Sequence, residues 1–173
     1  MRYFTQAWHT GSLTDEQHDA SLAAYGARIE EIKPQLPPDL KKLATYEINL
    51  HDGLMRRITL DRPAGTLTIS LRCGDLQVGY FDVDLAYADV DLKMLDPDVL
   101  KAIATDPETE LLSSEIDLAQ RSRFVHRMIF WSRPTCEIEV EFRGLRLLTK
   151  LRPSREFVKA KQKYRELGKA KRK

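Results

Sequence analysis

Asp82 and Asp84, in Tyr80-Phe81-Asp82-Val83-Asp84-Leu85, are the residues whose type and spacing best suit chemistry. Two positions apart on a strand they share one face, with Tyr80 beside them and Asp75 at the strand's entrance. Magnesium and calcium take clustered oxygens of this kind. The same alternation sends Phe81, Val83 and Leu85 to the other face, so the pattern favours the plainer role, the polar side of an amphipathic strand. Asp89 and Asp91 repeat the spacing, but the apolar parity shifts from Val83, Leu85 and Tyr87 to Val90 and Leu92. That shift predicts a bulge or turn near Ala88 and keeps the two aspartate pairs apart.

His51-Asp52 is the second candidate, since a histidine held by a carboxylate is the minimum of a general base. Adjacent residues rarely orient one another, however, and Asp52-Gly53 is ordinary turn chemistry. His126 projects with Phe124, Met128 and Phe130, which suits a hydrogen-bonded core or interface histidine better than a ligand. Cys73 and Cys136 fall on apolar faces, an environment that raises a thiol pKa, and they show no CxxC or Cys/His spacing. Two reduced, buried thiols are expected. His9 and His18 lack a metal-like helical spacing. With no P-loop, GxGxxG, GxSxG or HExxH in the chain, no cofactor is expected.

The elements that must position these residues follow from period and punctuation. Thr14-Asp15-Glu16-Gln17 has capping-box spacing, and Leu22, Tyr25, Ile29 and Ile32 recur at helical intervals until Pro34, predicting a long helix over 15–32. Pro37-Pro38 opens a short helix through Leu40, Leu43 and Ala44. From Leu54 the period becomes 2. Met55 to Leu60, Thr66 to Cys73 and Leu76 to Leu85 form a predicted antiparallel meander with turns at Pro63-Ala64-Gly65 and Gly74-Asp75. A short helix follows Asp96-Pro97. Further strands are expected at 112–118, at 123–131 (apolar on both faces and therefore central), at 136–142 and at 145–151. After Pro153, Phe157, Ala160, Tyr164 and Leu167 form a narrow helical stripe that could dock on the body.

Composition sets the bounds. The 173 residues are 42% apolar and 31% charged, enough chain and enough hydrophobe for one soluble core, which excludes disordered, collagenous and disulfide-built classes. No run of AVILMFWYC residues exceeds four, whereas a membrane span needs about twenty largely apolar residues. The first residues lack a signal-peptide core, so a cytoplasmic protein is expected. The net charge of +2 hides a partition: residues 152–173 hold ten basic and two acidic groups, +8, and the rest holds 18 basic and 24 acidic, −6. Lys159, Lys163, Arg165 and Lys169 make the tail a candidate contact for a polyanion or an acidic protein. Glu137, Glu139 and Glu141 alternate with Ile138, Val140 and Phe142, forming an acidic stripe suited to a basic partner.

Met1-Arg2-Tyr3-Phe4-Thr5-x-x-Trp8, the later Leu50-His51-Asp52 and the strand pairs after it resemble a bacterial family known only as a domain of unknown function. The likeness covers most of residues 1–150, without the basic tail. It implies a bacterial cytoplasmic α+β domain and carries over no catalytic residues. It draws attention to the N-terminal aromatics and to His51-Asp52, and the plain structural role of Tyr3, Phe4 and Trp8 is to anchor the N-terminus against the sheet.

The combined expectation is an α+β fold: a mostly antiparallel sheet of six or seven strands, a long N-terminal helix, short helices and a basic C-terminal helix. Residues 1–151 form one domain (helical cap 1–47, sheet 48–151), and 152–173 form the tail. The leading function is non-enzymatic binding of a protein partner, an interaction or accessory role with no membrane contact. A metal-assisted hydrolase or small-ligand binder using His51, Asp52, Asp75, Asp82 and Asp84 is the first alternative. Nonspecific nucleic-acid binding through the tail is the second.

Overall fold

Thr14 caps a helix as its spacing requires: its hydroxyl accepts from Gln17 N–H, and the Gln17 side chain accepts from Thr14 N–H. In the computed structural model, which describes residues 1–75 and 79–152, this helix (α2, Asp15–Ile32) follows a short one (α1, Gln6–His9). A 3-10 turn over Lys33–Gln35 ends α2 at Pro34, and Pro38 opens α3 (Pro38–Ala44). The strands are β1 (Gly53–Asp61), β2 (Thr66–Asp75) and β3 (Gly79–Ala88), then, after α4 (Pro97–Thr105), β4 (Glu110–Leu118), β5 (Phe124–Trp131), β6 (Cys136–Phe142) and β7 (Gly144–Leu151). The expected start of the third strand at Leu76 and the expected tail helix lie outside the described residues.

The seven strands make one antiparallel sheet in the order β6-β5-β4-β1-β2-β3-β7. β6 and β7 occupy opposite edges although only Arg143 separates them, so the sheet must curl until its edges meet at that corner. Backbone bonds fasten the junction: Arg143 N–H donates to Ala88 O and Asp91 N–H to Glu141 O. Asp89 takes a left-handed φ of 53° there, which is where the parity shift placed a turn. β1 and β4 pair at two positions only, Gly53 with Leu111 and Leu54 with Glu110. α3 bridges β4 and β7, and α4 bridges β1 and β6, pairs of strands that only a curled sheet brings near one helix.

The concave side carries the core. Leu67, Ile69, Leu71 and Cys73 of β2, Val83, Leu85 and Tyr87 of β3, Met128 and Phe130 of β5, and Val140 and Phe142 of β6 are all buried. β5 lies between β4 and β6, and Val125 and Ile129 on its second face are buried too, whereas Trp131 at its end is exposed. Phe4 explains part of that cover. It packs edge-on to Tyr25 of α2 (centroids 5.0 Å apart) and to Trp8 (5.2 Å), anchoring the chain's first residues. Cys73 is buried, and burial pushes its thiol up to about 12. Cys136 departs from expectation and is only half-buried, because it begins an edge strand. Among the described residues no helix is long and apolar enough to cross a membrane.

The turn expected at Gly74-Asp75 does not fall there, since both residues are still paired in the β2–β3 ladder, opposite Tyr80 and Gly79; Gly74 has φ +91°, and a Cβ there would clash with Gly79 O. Gly74→Ala is therefore expected to destabilise the fold by roughly 2–3 kcal/mol, read as a lower urea midpoint.

Candidate functional site

The register of β1 and β2 runs from Met55 opposite Leu71 to Arg57 opposite Ser70, leaving Arg56 as the extra residue of a bulge. A bulge re-aims a side chain. Here it lets two consecutive arginines line one groove on the convex side of β1, β2, β3 and β7. One transverse row, Arg57, Ser70, Asp84 and Leu148, lines it, together with Asp82 and Lys150 of the next row, which Leu54 and Arg72 continue. The groove encloses about 410 Å³, with Thr149 and Arg152 completing the rim.

Asp82 and Asp84 do share this face, as their spacing predicts, but each is already engaged. The Asp82 carboxylate accepts from Arg72 Nε at 3.0 Å and pairs with Arg152. Partial burial pushes its pKa up, and the hydrogen bonds from Arg152 and Arg72 outweigh that, so it is held below the usual carboxylate range. Asp84 accepts from Ser70 Oγ at 2.5 Å. Asp75, opposite Gly79, lies three residues along the ladder from the Asp82 row, about 10 Å away at strand rise. Among the described residues no three His, Cys, Asp or Glu side chains are grouped to hold a metal ion. Arg56, Arg57 and Lys150 have no carboxylate partner among the described residues, so the groove presents unneutralised cations.

His51 and Asp52 lie elsewhere. His51 lines a separate apolar cleft of about 190 Å³ with Phe4, Trp8, Leu22, Leu43 and Tyr46. Its Nδ1 is 2.5 Å from Leu112 O and its Nε2 is 3.4 Å from Asp52 Oδ1. Both neighbours accept, so a neutral ring can satisfy only one of them. This is not the arrangement of a base oriented for proton abstraction. Trp8 stacks on His18 with centroids 3.9 Å apart, and burial followed by the charges of His51 and His18 holds His9 below the ordinary histidine value.

The acidic stripe on β6 meets cations of its own chain. Glu137 takes the amino group of Met1 at 2.8 Å, Glu139 takes Arg127 Nε at 2.7 Å and Glu141 takes Arg123 Nε at 2.8 Å. Beneath them lies a buried charge cluster that periodicity did not single out. Glu115 accepts the backbone N–H groups of Arg2, Tyr3 and Phe4, while Asp117 pairs with Arg2, Arg28 and Arg127. Burial pushes the Asp117 carboxyl up, and the Arg28 bond and the Leu118 N–H bring it below its usual range. His126 sits in the core as expected, its Nδ1 2.7 Å from Tyr87 Oη. Lys159, Lys163, Arg165 and Lys169 lie outside the described residues, but the segment that carries them leaves from Arg152, on the groove's rim.

The bulge was legible in principle. Apolar parity changes between Met55 and Ile58 with Arg56-Arg57 between them, the same kind of signal that marked Ala88.

No protein-family model matches this chain, and no curated protein sequence matches it. Geometry alone defines its class: an α+β domain built on a curled, seven-stranded antiparallel sheet, with a basic groove on the convex face.

Proposed function

We propose that this is a non-enzymatic binding protein of the bacterial cytoplasm whose convex groove, together with the basic segment beginning at Arg152, holds the phosphate backbone of a nucleic acid. The observation that carries the reading is the β1 bulge, which sets Arg56 and Arg57 over the groove without carboxylate partners. Lys150 adds a third such cation, a group that phosphate oxygens recruit. The segment that begins at Arg152 on the groove's rim carries a charge of +8, which adds to the attraction for a polyanion. Among the described residues none that lines the groove is aromatic, which supports backbone contact over base stacking and hence low sequence selectivity. The resemblance at the N-terminus supports the bacterial setting. A protein partner on Glu137, Glu139 and Glu141 has less support, because each carboxylate is already neutralised within the chain. A metal-assisted hydrolase would need His51 and Asp52 beside Asp82 and Asp84, and His51 lines a different cavity from the two aspartates.

Labelled duplex and single-stranded oligonucleotides titrated at about 50 and 200 mM salt test the reading. Wild-type binding should weaken steeply with salt, and Arg56→Ala/Arg57→Ala should flatten the log-log salt slope by about 2, one per lost phosphate contact. Absence of wild-type binding at the lower salt, or an unchanged slope in the double variant, would overturn it.

A further inference from the structure

We propose that Asp84 reads bases in the convex groove: its carboxylate accepts a hydrogen bond from the exocyclic amino group of an unpaired base, so the groove takes single strands of amino-bearing bases in preference to uracil or thymine. The inference rests on the nucleic-acid reading given above and names the form and the composition of the strand.

Asp84 lies in the row Arg57, Ser70, Asp84 and Leu148, two strands from β1 on one side and next to β7 on the other. Arg56 and Arg57 on β1 and Lys150 on β7 therefore flank it from both sides. The two carboxylates between those cations differ. Asp82 is neutralised by Arg72 and Arg152. Asp84 meets no cation among the described residues, and its side chain's one bond is from the Ser70 hydroxyl to Oδ1. A carboxylate offers about four acceptor positions, so most of that capacity, Oδ2 included, is unused in a side chain that lines the groove.

A carboxylate set among phosphate-binding cations repels the phosphates those cations attract, unless the same ligand brings it a donor. Bases bring one. Cytosine presents an amino group at N4, adenine at N6 and guanine at N2, whereas thymine and uracil carry a carbonyl oxygen where cytosine has its amino group. Asp84 accepts from the first three and repels the carbonyl. Leu148, directly opposite Asp84 on β7 and 46% exposed, gives the face of such a base an apolar surface to lie against.

β1 and β7 stand three strand spacings apart, about 14 Å. The major groove of B-DNA is about 12 Å wide, too narrow to admit four strands and bring its base edges onto their surface. Bases that reach Asp84 are thus unpaired. One acceptor separates amino from carbonyl and nothing finer, which makes this a preference of composition and not a sequence code.

Oligo-dC and oligo-dU of equal length carry the same phosphates and differ at the edge Asp84 would meet. Anisotropy titrations of the full-length chain at about 50 mM salt should show oligo-dC bound at least about fivefold more tightly. Asp84→Ala should bring the ratio near one, mainly by tightening oligo-dU, which a misfolded chain does not do. Asp84→Asn keeps an acceptor for Ser70 and adds a donor of its own, so it too should level the pair. Equal wild-type affinities, or a ratio that survives both substitutions, would overturn the inference and leave the groove a plain polyanion site. A preference of the same size between dG·dC and dA·dU duplexes would overturn it as well, since the base would then be read while paired. Failure of either oligonucleotide to bind at all removes the proposed function itself, a result distinct from binding without preference.

Discussion

Glu115→Ala should cost about 3–5 kcal/mol of folding stability, one of the two largest effects expected for this protein. The Glu115 side chain, only 1% exposed, accepts the N–H groups of Arg2 at 2.9 Å, Tyr3 at 2.7 Å and Phe4 at 2.8 Å. Removing the carboxylate leaves three largely buried donors unsatisfied and leaves Arg127, its cross-strand neighbour, with one negative charge fewer nearby. Glu115→Gln keeps an acceptor oxygen but turns an amide N–H toward the same donors, so an intermediate loss of about 2 kcal/mol is expected. Urea denaturation gives the magnitude, and amide exchange of Arg2 to Phe4 gives the location. Should Glu115→Ala lose less than about 1 kcal/mol, with those amides unchanged, the carboxylate is not what fastens the chain's first residues.

The strands and helices were largely legible because each is a local signal. The Thr14–Gln17 box, the prolines at 34, 38 and 97, and the alternation through β2 and β6 depend on neighbours within a turn or a pleat. What alternation cannot encode is which strand edges meet. The passage from β6 to the far edge of the sheet through Arg143 is set by curvature, and curvature belongs to the whole sheet.

The candidate site shows the same division more sharply. The shared face of Asp82 and Asp84 was correctly read from period 2. Their surroundings reversed its meaning, because Arg72, Arg152 and the Arg56-Arg57 bulge arrive from three other stretches of chain and turn an acidic pair into the floor of a basic groove. Likewise, Glu137, Glu139 and Glu141 read as a free stripe because their partners, Met1, Arg127 and Arg123, are fixed only by strand pairing and by the docking of the N-terminus.

Acid should destabilise this fold well above the range in which its carboxylates titrate, and His126 should be the main cause. The ring is fully buried, and burial lowers its pKa to about 3 from an ordinary 6.5. Tyr87 Oη contacts Nδ1, no group meets Nε2 among the described residues, and no carboxylate is at hand to stabilise an imidazolium. The unfolded chain takes up a proton near pH 6.5 that the folded chain refuses until about pH 3, so unfolding becomes more favourable as pH falls through that window. At about 1.4 kcal/mol per pH unit, the loss reaches roughly 2–3 kcal/mol by pH 4.5. His9, also lowered, adds in the same direction but is partly exposed. Asp82 and Asp117, held below 3.8, contribute stability that is lost only as pH falls below that value, so they leave the upper window to the histidines. Urea midpoints at pH 7.5, 6.0, 5.0 and 4.5 should therefore decline in the wild type and stay nearly level in His126→Leu, which fills the site with an apolar side chain that cannot titrate. Equal declines in the two chains would place the acid sensitivity somewhere other than the core histidine.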